Sequence, residues 1–149
     1  MKLPQPLTAE EAGALAVLHG RCFSATDAWS AESFRASLQQ PHVIGWCLEP
    51  QYPAAFIITQ LVAGEAEVLT VAVDPARRRE GLARLLLRHA LKDSAQRGAE
   101  RIHLEVAENN APAIALYLAE GFAQVGKRSG YYPSGQAALL FSRHLKSYC

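Results

Sequence analysis

The chain is poor in cysteine, in net charge and in long apolar runs, and each shortage excludes a class of protein. Three cysteines, Cys22, Cys47 and Cys149, form neither an even set nor a C-x-x-C pair, so no disulfide framework is expected. No apolar run approaches the ~18 residues a membrane helix requires. The opening MKLPQPLTAEE has no apolar signal core, and the expectation is a cytoplasmic protein without membrane attachment. Net charge is +1, from 15 Lys+Arg against 14 Asp+Glu, too little for a long nucleic-acid-binding face. The five histidines are dispersed, so no metal is expected. Repeats and low-complexity linkers are missing too. At 149 residues, half of them hydrophobic, the chain can bury a substantial core and is expected to form one domain spanning residues 1–149.

Most of the information lies in residues 69–87, LTVAVDPARRREGLARLLL. Thr70 to Val73 has the β-branched character of a buried strand, Asp74-Pro75 breaks it, and Leu82, Leu85 and Leu86 then fall at helical spacing. A helix beginning near Gly81 would present unpaired amides and the positive end of its dipole, where Gly81 and Ala83 lack the bulk to keep an anion away. Arg77, Arg78, Arg79 and Arg84 add charge around that point. A solvated basic turn would use the same residues. A dinucleotide fingerprint would need G-x-G-x-x-G and a phosphate loop G-K-[ST], and neither is present.

Punctuation and period organise the rest. Thr8 with Glu11 has the form of a capping box, followed by Ala12, Leu15 and Leu18 at helical spacing. Ser30 can cap a short second helix carrying Phe34 and Leu38. Residues 43–48, 55–62 and 67–73 read as three strands of an antiparallel meander. The long helix is expected over residues 81–97, ending at Gly98. Residues 101–107 alternate as a strand, with Ile102, Leu104 and Val106 on one side and His103 and Glu105 on the other. A proline-started helix runs to Gly121, and strands are expected at 122–127 and 137–144. The predicted order is ααβββαβαββ, with a first strand poorly encoded in residues 3–7.

Several residues have chemistry worth testing against packing. Glu105 sits on the less apolar face of its strand; it can act as a general base, or pair with His103 or an arginine. The Tyr117 phenol can donate a proton, or simply pack one turn after Ile114. Asn110 can cap a helix or bind a ligand. Arg128-Ser129-Gly130-Tyr131-Tyr132-Pro133 offers aromatic walls and hydroxyls suited to a peptide backbone.

Arg78-Arg79-Glu80-Gly81-Leu82-Ala83 resembles the acyl-CoA signature Q/R-x-x-G-x-G/A of the GCN5-related N-acetyltransferases (GNAT), and the element order resembles that family over nearly the whole chain. The resemblance implies an α+β fold, α/β by some schemes, with a mixed, mostly antiparallel sheet flanked by helices. It implies acetyl-CoA as co-substrate, gripped by Arg78, Arg79, Glu80, Gly81, Leu82, Ala83 and Arg84 at the pyrophosphate. Val71, Ala72 and Val73 would pair with the pantetheine arm as with an added strand, and Asn110 would bond to it. Leu104-Glu105-Val106, Asn110 and Ala115-Leu116-Tyr117 resemble the RimI-type protein N-terminal acetyltransferases, which implies Glu105 as base and Tyr117 as acid. Tyr131 and Tyr132, with Trp29 in the opposite wall, are similar to the residues that enclose an incoming amino terminus there. The implied activity is direct acetyl transfer, in a ternary complex, to a protein α-amine, that of the N-terminal alanine of a small-subunit ribosomal protein. Ser134-Gly135-Gln136-Ala137 departs from the longer, acidic loop of that type, which leaves a small-molecule amine acetyltransferase and a non-catalytic acyl-CoA-binding module as alternatives. A monomer or weak dimer, with no direct nucleic-acid partner and no membrane, completes the expectation.

Overall fold

The computed structural model describes residues 3–145; Cys149 lies outside them. The elements follow the predicted order, with a short first strand added: β1 Gln5–Pro6, α1 Ala12–Cys22, α2 Ala31–Leu38, β2 Val43–Leu48, β3 Ala55–Val62, β4 Glu65–Val73, α3 Leu82–Gln96, β5 Arg101–Ala107, α4 Ala111–Ala119, β6 Ala123–Arg128 and β7 Ala138–His144. The capping box forms, with the Thr8 N–H donating to Glu11 Oε1 at 2.8 Å, and starts a 3-10 turn that leads into α1. Ser30 caps α2 by accepting from the Ser33 N–H at 3.1 Å. Helix α3 is one residue shorter than expected at each end, because Gly81 and Arg97 are its caps.

One seven-stranded sheet carries the fold in the order β1-β2-β3-β4-β5-β7-β6. Every pairing is antiparallel except β4 with β5, which α3 joins as the crossover a parallel pair requires. Helix α3 covers one face, packing Leu82, Leu86, Leu87 and Leu91 on Trp46, Ile57, Val68 and Leu104, with α4 beside it. Helices α1 and α2 cover the other with Leu15, Leu18 and Phe34 on Cys47, Phe56, Ile58 and Ala72. Burial on both faces explains why β2 and β3 read as nearly unbroken apolar runs. At Gly45 an added Cβ would lie 2.9 Å from Leu7 Cδ1, so glycine is what lets the N-terminal segment lie against β2. Among the described residues, no helix is long and apolar enough to cross a membrane.

One irregularity in β4 positions everything that follows. Ile58 pairs with Thr70 and Thr59 with Val68, leaving Leu69 as an extra residue without a partner on β3. Such a bulge bends its strand and changes the alternation. Ala66 and Val68 face α3 before it; Val71 and Val73 face α3 after it, while Thr70 and Ala72 turn toward α1. Pairing of β4 with β5 also stops there, at Val68 and Leu104. Beyond that point Thr70 to Val73 stays on β3, and Glu105 to Ala107 stays on β7. A wedge opens between two strands that each keep an unpaired backbone edge.

Phe56 is fully buried and meets Phe34 edge to face at 5.5 Å. Phe56→Ala should cost about 3–5 kcal/mol of stability by urea denaturation, whereas Val62→Ala, at an exposed strand end, should stay within about 0.5 kcal/mol.

Candidate active site

The wedge holds a cavity of about 820 Å³ that passes between β4 and β5 and runs to the start of α3. That size suits a small-molecule or cofactor site. Its walls include Val71, Ala72, Val73, Arg78, Arg79, Gly81, Leu82, Ala83 and Arg84 from the signature segment. From elsewhere it takes Trp29, Glu105, Asn110, Tyr117 and Tyr132. Two expected residues stand apart. Glu80 turns its carboxylate to Arg77, and Tyr131 lies outside the cavity wall, its ring 5.1 Å from that of Tyr132 and beneath the Arg128 guanidinium.

At the helix end the backbone turns through left-handed conformations at Arg79, φ 66°, and Gly81, φ 77°. Leu85 is the first residue of α3 to donate back, to the Gly81 carbonyl at 3.0 Å, so the amides of Leu82, Ala83 and Arg84 have no acceptor within the helix. The first turn carries no acidic residue, and an added Cβ at Gly81 would meet nothing within 4 Å. These amides, the helix dipole and the exposed Arg78 and Arg79 suit a phosphate. Arg77 lines the cavity as well, but its guanidinium is engaged: it holds Glu49 at 3.0 and 3.1 Å and Glu80 at 2.9 and 3.1 Å, which raises its pKa and braces the turn. Arg84 lies 3.5 Å from Glu120.

The other end of the wedge brings Glu105 and Tyr117 to one cavity from opposite faces of the sheet. Glu105 is 17% exposed, with Arg128 Nη1 3.5 Å from its Oε1. Of its two possible partners, an arginine is therefore the one found, since His103 pairs with Glu65 at 2.8 Å. The neighbouring Glu105 carboxylate raises the pKa of the Tyr131 phenol. Tyr132 is pushed up to about 12, chiefly by burial and then by the nearby Glu105. On the α3 face Tyr117 is only 4% exposed, packed edge to face on Phe122 at 5.7 Å, and burial raises its pKa. Packing and cavity lining thus coexist in one residue. Asn110 is likewise both: its oxygen caps α4 by accepting from the Ala113 N–H at 3.3 Å, which leaves the amide NH₂ as what it can offer a ligand. Next to the cavity, Glu105 also lines a second hollow of about 360 Å³ with Gln60, Glu67, His103 and Arg128. Burial, and then Glu105, raises the pKa of Glu67 there.

His19 went unread in the sequence, though its spacing with Leu15, Leu18 and Cys22 puts it on the buried face of α1. It is 2% exposed, and its Nδ1 accepts from the Trp29 N–H at 3.0 Å. The remaining nitrogen, Nε2, then carries the proton and donates to Thr70 Oγ1 at 2.9 Å. One neutral ring therefore ties the Trp29 wall to the strand just past the bulge. Cys22 donates from Sγ to the Val73 carbonyl at 3.2 Å and also lines the cavity. Among the described residues, no three His, Cys, Asp or Glu side chains gather as a metal site would require.

Comparison with known proteins gives a consistent picture. The profile of the Acetyltransferase (GNAT) family matches residues 13–122. The [ribosomal protein bS18]-alanine N-acetyltransferase of Escherichia coli strain K12 is 39% identical over 106 residues, which are 71% of this chain and 72% of that protein. The crystal structure of the ribosomal-protein-S18-alanine N-acetyltransferase from Escherichia coli superposes with a TM-score of 0.89 at 32% identity, covering 100% of this chain and 97% of that one. Arabidopsis thaliana NAA60, solved in complex with acetyl-CoA, shares the fold with a TM-score of 0.86 at 17% identity, covering 99% and 100% of the two chains.

Burial lowers the His19 pKa from 6.5 to about 4. Because the folded ring resists the proton that the unfolded chain accepts, its contribution to stability is complete above about pH 6.5 and lost as pH falls toward 4. In NMR titrations the His19 ring resonances should stay still between about pH 8 and pH 5, where an unperturbed histidine moves through its whole transition. Movement centred near pH 6.5 would mean that the ring is not pinned neutral.

Proposed function

The chain belongs to the acetyltransferase (GNAT) family, and on that premise we propose that it acetylates the N-terminal α-amine of a protein with acetyl-CoA, the N-terminal alanine of a small-subunit ribosomal protein being the acceptor. The observation that carries this reading is the wedge, with an anion cradle at one end and Glu105 with Tyr117 at the other. The names of the Escherichia coli relatives support the acceptor class.

The chain's own groups fit acetyl-CoA along the full length of the cavity. The amides of residues 79–84, helped by Arg78 and Arg79, would take the pyrophosphate. The open edge of Val71 to Val73 would pair with the pantetheine amides as an added strand, with Asn110 donating from the opposite side. Bound acetyl-CoA supplies a thioester-activated acetyl group. Glu105 takes the proton of the attacking amine as the new C–N bond forms, directly or through a water. Tyr117 donates to the sulfur as the C–S bond breaks, and its raised pKa keeps that donor loaded at working pH. An α-amine, with a reference pKa of about 7.7–8.0 against about 10.4 for lysine, asks little of a carboxylate base. Tyr131, Tyr132 and Trp29 would hold the acceptor's first residues.

Glu105→Gln keeps the shape but cannot take a proton, so acetylation of a free N-terminal Ala peptide should fall about 10²-fold or more while acetyl-CoA binding survives. Wild-type turnover would remove Glu105 as base. Gly81→Val should weaken acetyl-CoA binding in titration calorimetry far more than its backbone strain, about 1–2 kcal/mol, disturbs folding. Replacing Tyr131 and Tyr132 together with Ala should raise the peptide KM and leave the affinity for acetyl-CoA nearly unchanged. Equal rates on a free N-terminal Ala and on an internal Lys, or rapid turnover of a small amine with no peptide product, would overturn the acceptor assignment.

A further inference from the structure

Two loops border the acceptor side of the cavity: residues 23–30 between α1 and α2, and residues 129–137 between β6 and β7. The first is a compact turn. Asp27 and Ala28 both donate to the Ser24 carbonyl, at 3.0 and 2.9 Å, and Trp29 is held by His19. The second carries Gly130 and Gly135 at φ 61° and 95°. Its internal bonds run from the Tyr132 N–H to Gln136 O at 3.1 Å and from the Gly135 N–H to Tyr132 O at 2.8 Å. At its base Ala137 donates to Glu108 at 3.1 Å. Across the gap, the Asp27 carboxylate accepts twice from Ser134, from the main-chain N–H at 3.0 Å and from the hydroxyl at 2.6 Å. These partners are 107 residues apart in sequence, and Asp27 itself lines the cavity.

We infer that the Asp27–Ser134 contact is a clasp joining the two loops into one acceptor-binding wall, with Asp27 the positioning residue that sets Tyr131 and Tyr132 against Trp29 and Glu105. The inference rests on the acceptor reading above for what the wall receives, and on the paired hydrogen bonds for its mechanics. A carboxylate that accepts from an N–H and an O–H of one residue fixes orientation as well as distance. Tyr131 and Tyr132 precede Ser134 by three and two residues in the same turn. Tying down Ser134 therefore holds Tyr131 beside Glu105 and Tyr132 in the cavity wall. With the clasp broken, the 129–137 turn has to be ordered by the acceptor itself. The apparent acceptor affinity then falls by the fraction of time the turn spends in place. On the same reading acetyl-CoA would lie along β4 and α3, away from this turn, and its affinity is not taxed.

The test uses the whole chain and two readouts, hydrogen–deuterium exchange of the two loops and steady-state kinetics with acetyl-CoA and a free N-terminal Ala peptide. Asp27→Ala should speed exchange in residues 129–137 and raise the peptide KM about 3- to 10-fold, with the acetyl-CoA KM within about 2-fold. Ser134→Ala, which keeps its main-chain N–H, should give a smaller change, and adding it to Asp27→Ala should make matters no worse. Ser134→Thr retains both donors and should restore wild-type exchange and KM. Unchanged exchange in Asp27→Ala, a parallel rise in both KM values, or additive effects of the two Ala substitutions would overturn the clasp. If the wild type acetylates no peptide while Asp27→Ala still frees the 129–137 turn, the clasp stands and the acceptor class falls.

Discussion

The site depends on one unpaired residue in a strand. Leu69 has no partner on β3, and that extra residue both ends the pairing of β4 with β5 and reverses which side chains of β4 face which helix layer. Without it, β4 and β5 would continue as a closed parallel pair, and the interior of the sheet would have no opening. With it, two backbone edges diverge while each stays anchored to its outer neighbour. The sheet bears the cost of several unmade ladder bonds, and that cost is what leaves donors and acceptors ready for an extended ligand. The parallel crossover contributes the other half: α3 must start at the carboxyl end of β4, so its amides meet the same opening that the bulge creates.

Charge around the opening is partitioned by partner. Of the arginines in the signature turn, Arg77 is bound to two carboxylates and shapes the turn, while Arg78 and Arg79 are exposed beside the unpaired amides. Exposed ion pairs of this kind contribute little to stability, about 0–1 kcal/mol each, so the Arg77 network matters for where it holds the loop. Glu105 occupies a different setting, with Arg128 and the Tyr131 hydroxyl as polar neighbours and the apolar strand beneath. Deeper in, His19 is neutral with both nitrogens bonded. A neutral pin suits that position, because a charge there would be stranded among Phe23, Phe34 and Phe56.

Much of this was legible in one dimension. Alternation put Glu105 opposite Leu104 and Val106, and the break at Asp74-Pro75 followed by Gly81 marked the end of β4 and the start of α3. The resemblance assigned roles to Tyr117 and Asn110 that local spacing left open between packing or capping and ligand binding; the structure shows the packing and the cap, in side chains that also line the cavity. Element ends shifted by one or two residues, as at β4, which begins at Glu65 rather than Glu67, while α4 carries its proline in the first turn as expected, with Asn110 as the cap. The first strand was faint because it is two residues held by β2, with Leu7 donating to the Gly45 carbonyl at 2.8 Å, rather than by any propensity of its own.

The sequence by itself determined the periods, the punctuation and the cradle turn, because each is written within a window of a few residues where backbone preference and hydrophobic spacing act directly. Only the tertiary structure decided that Leu69 is left over, that Arg77 belongs to Glu49, that His19 meets Thr70 across 51 residues, and that Asp27 holds Ser134 across 107. A bulge is defined by the strand it fails to match, and a hydrogen bond by the group that arrives opposite it. Neither exists until the sheet has closed and brought distant segments within about 3 Å of one another.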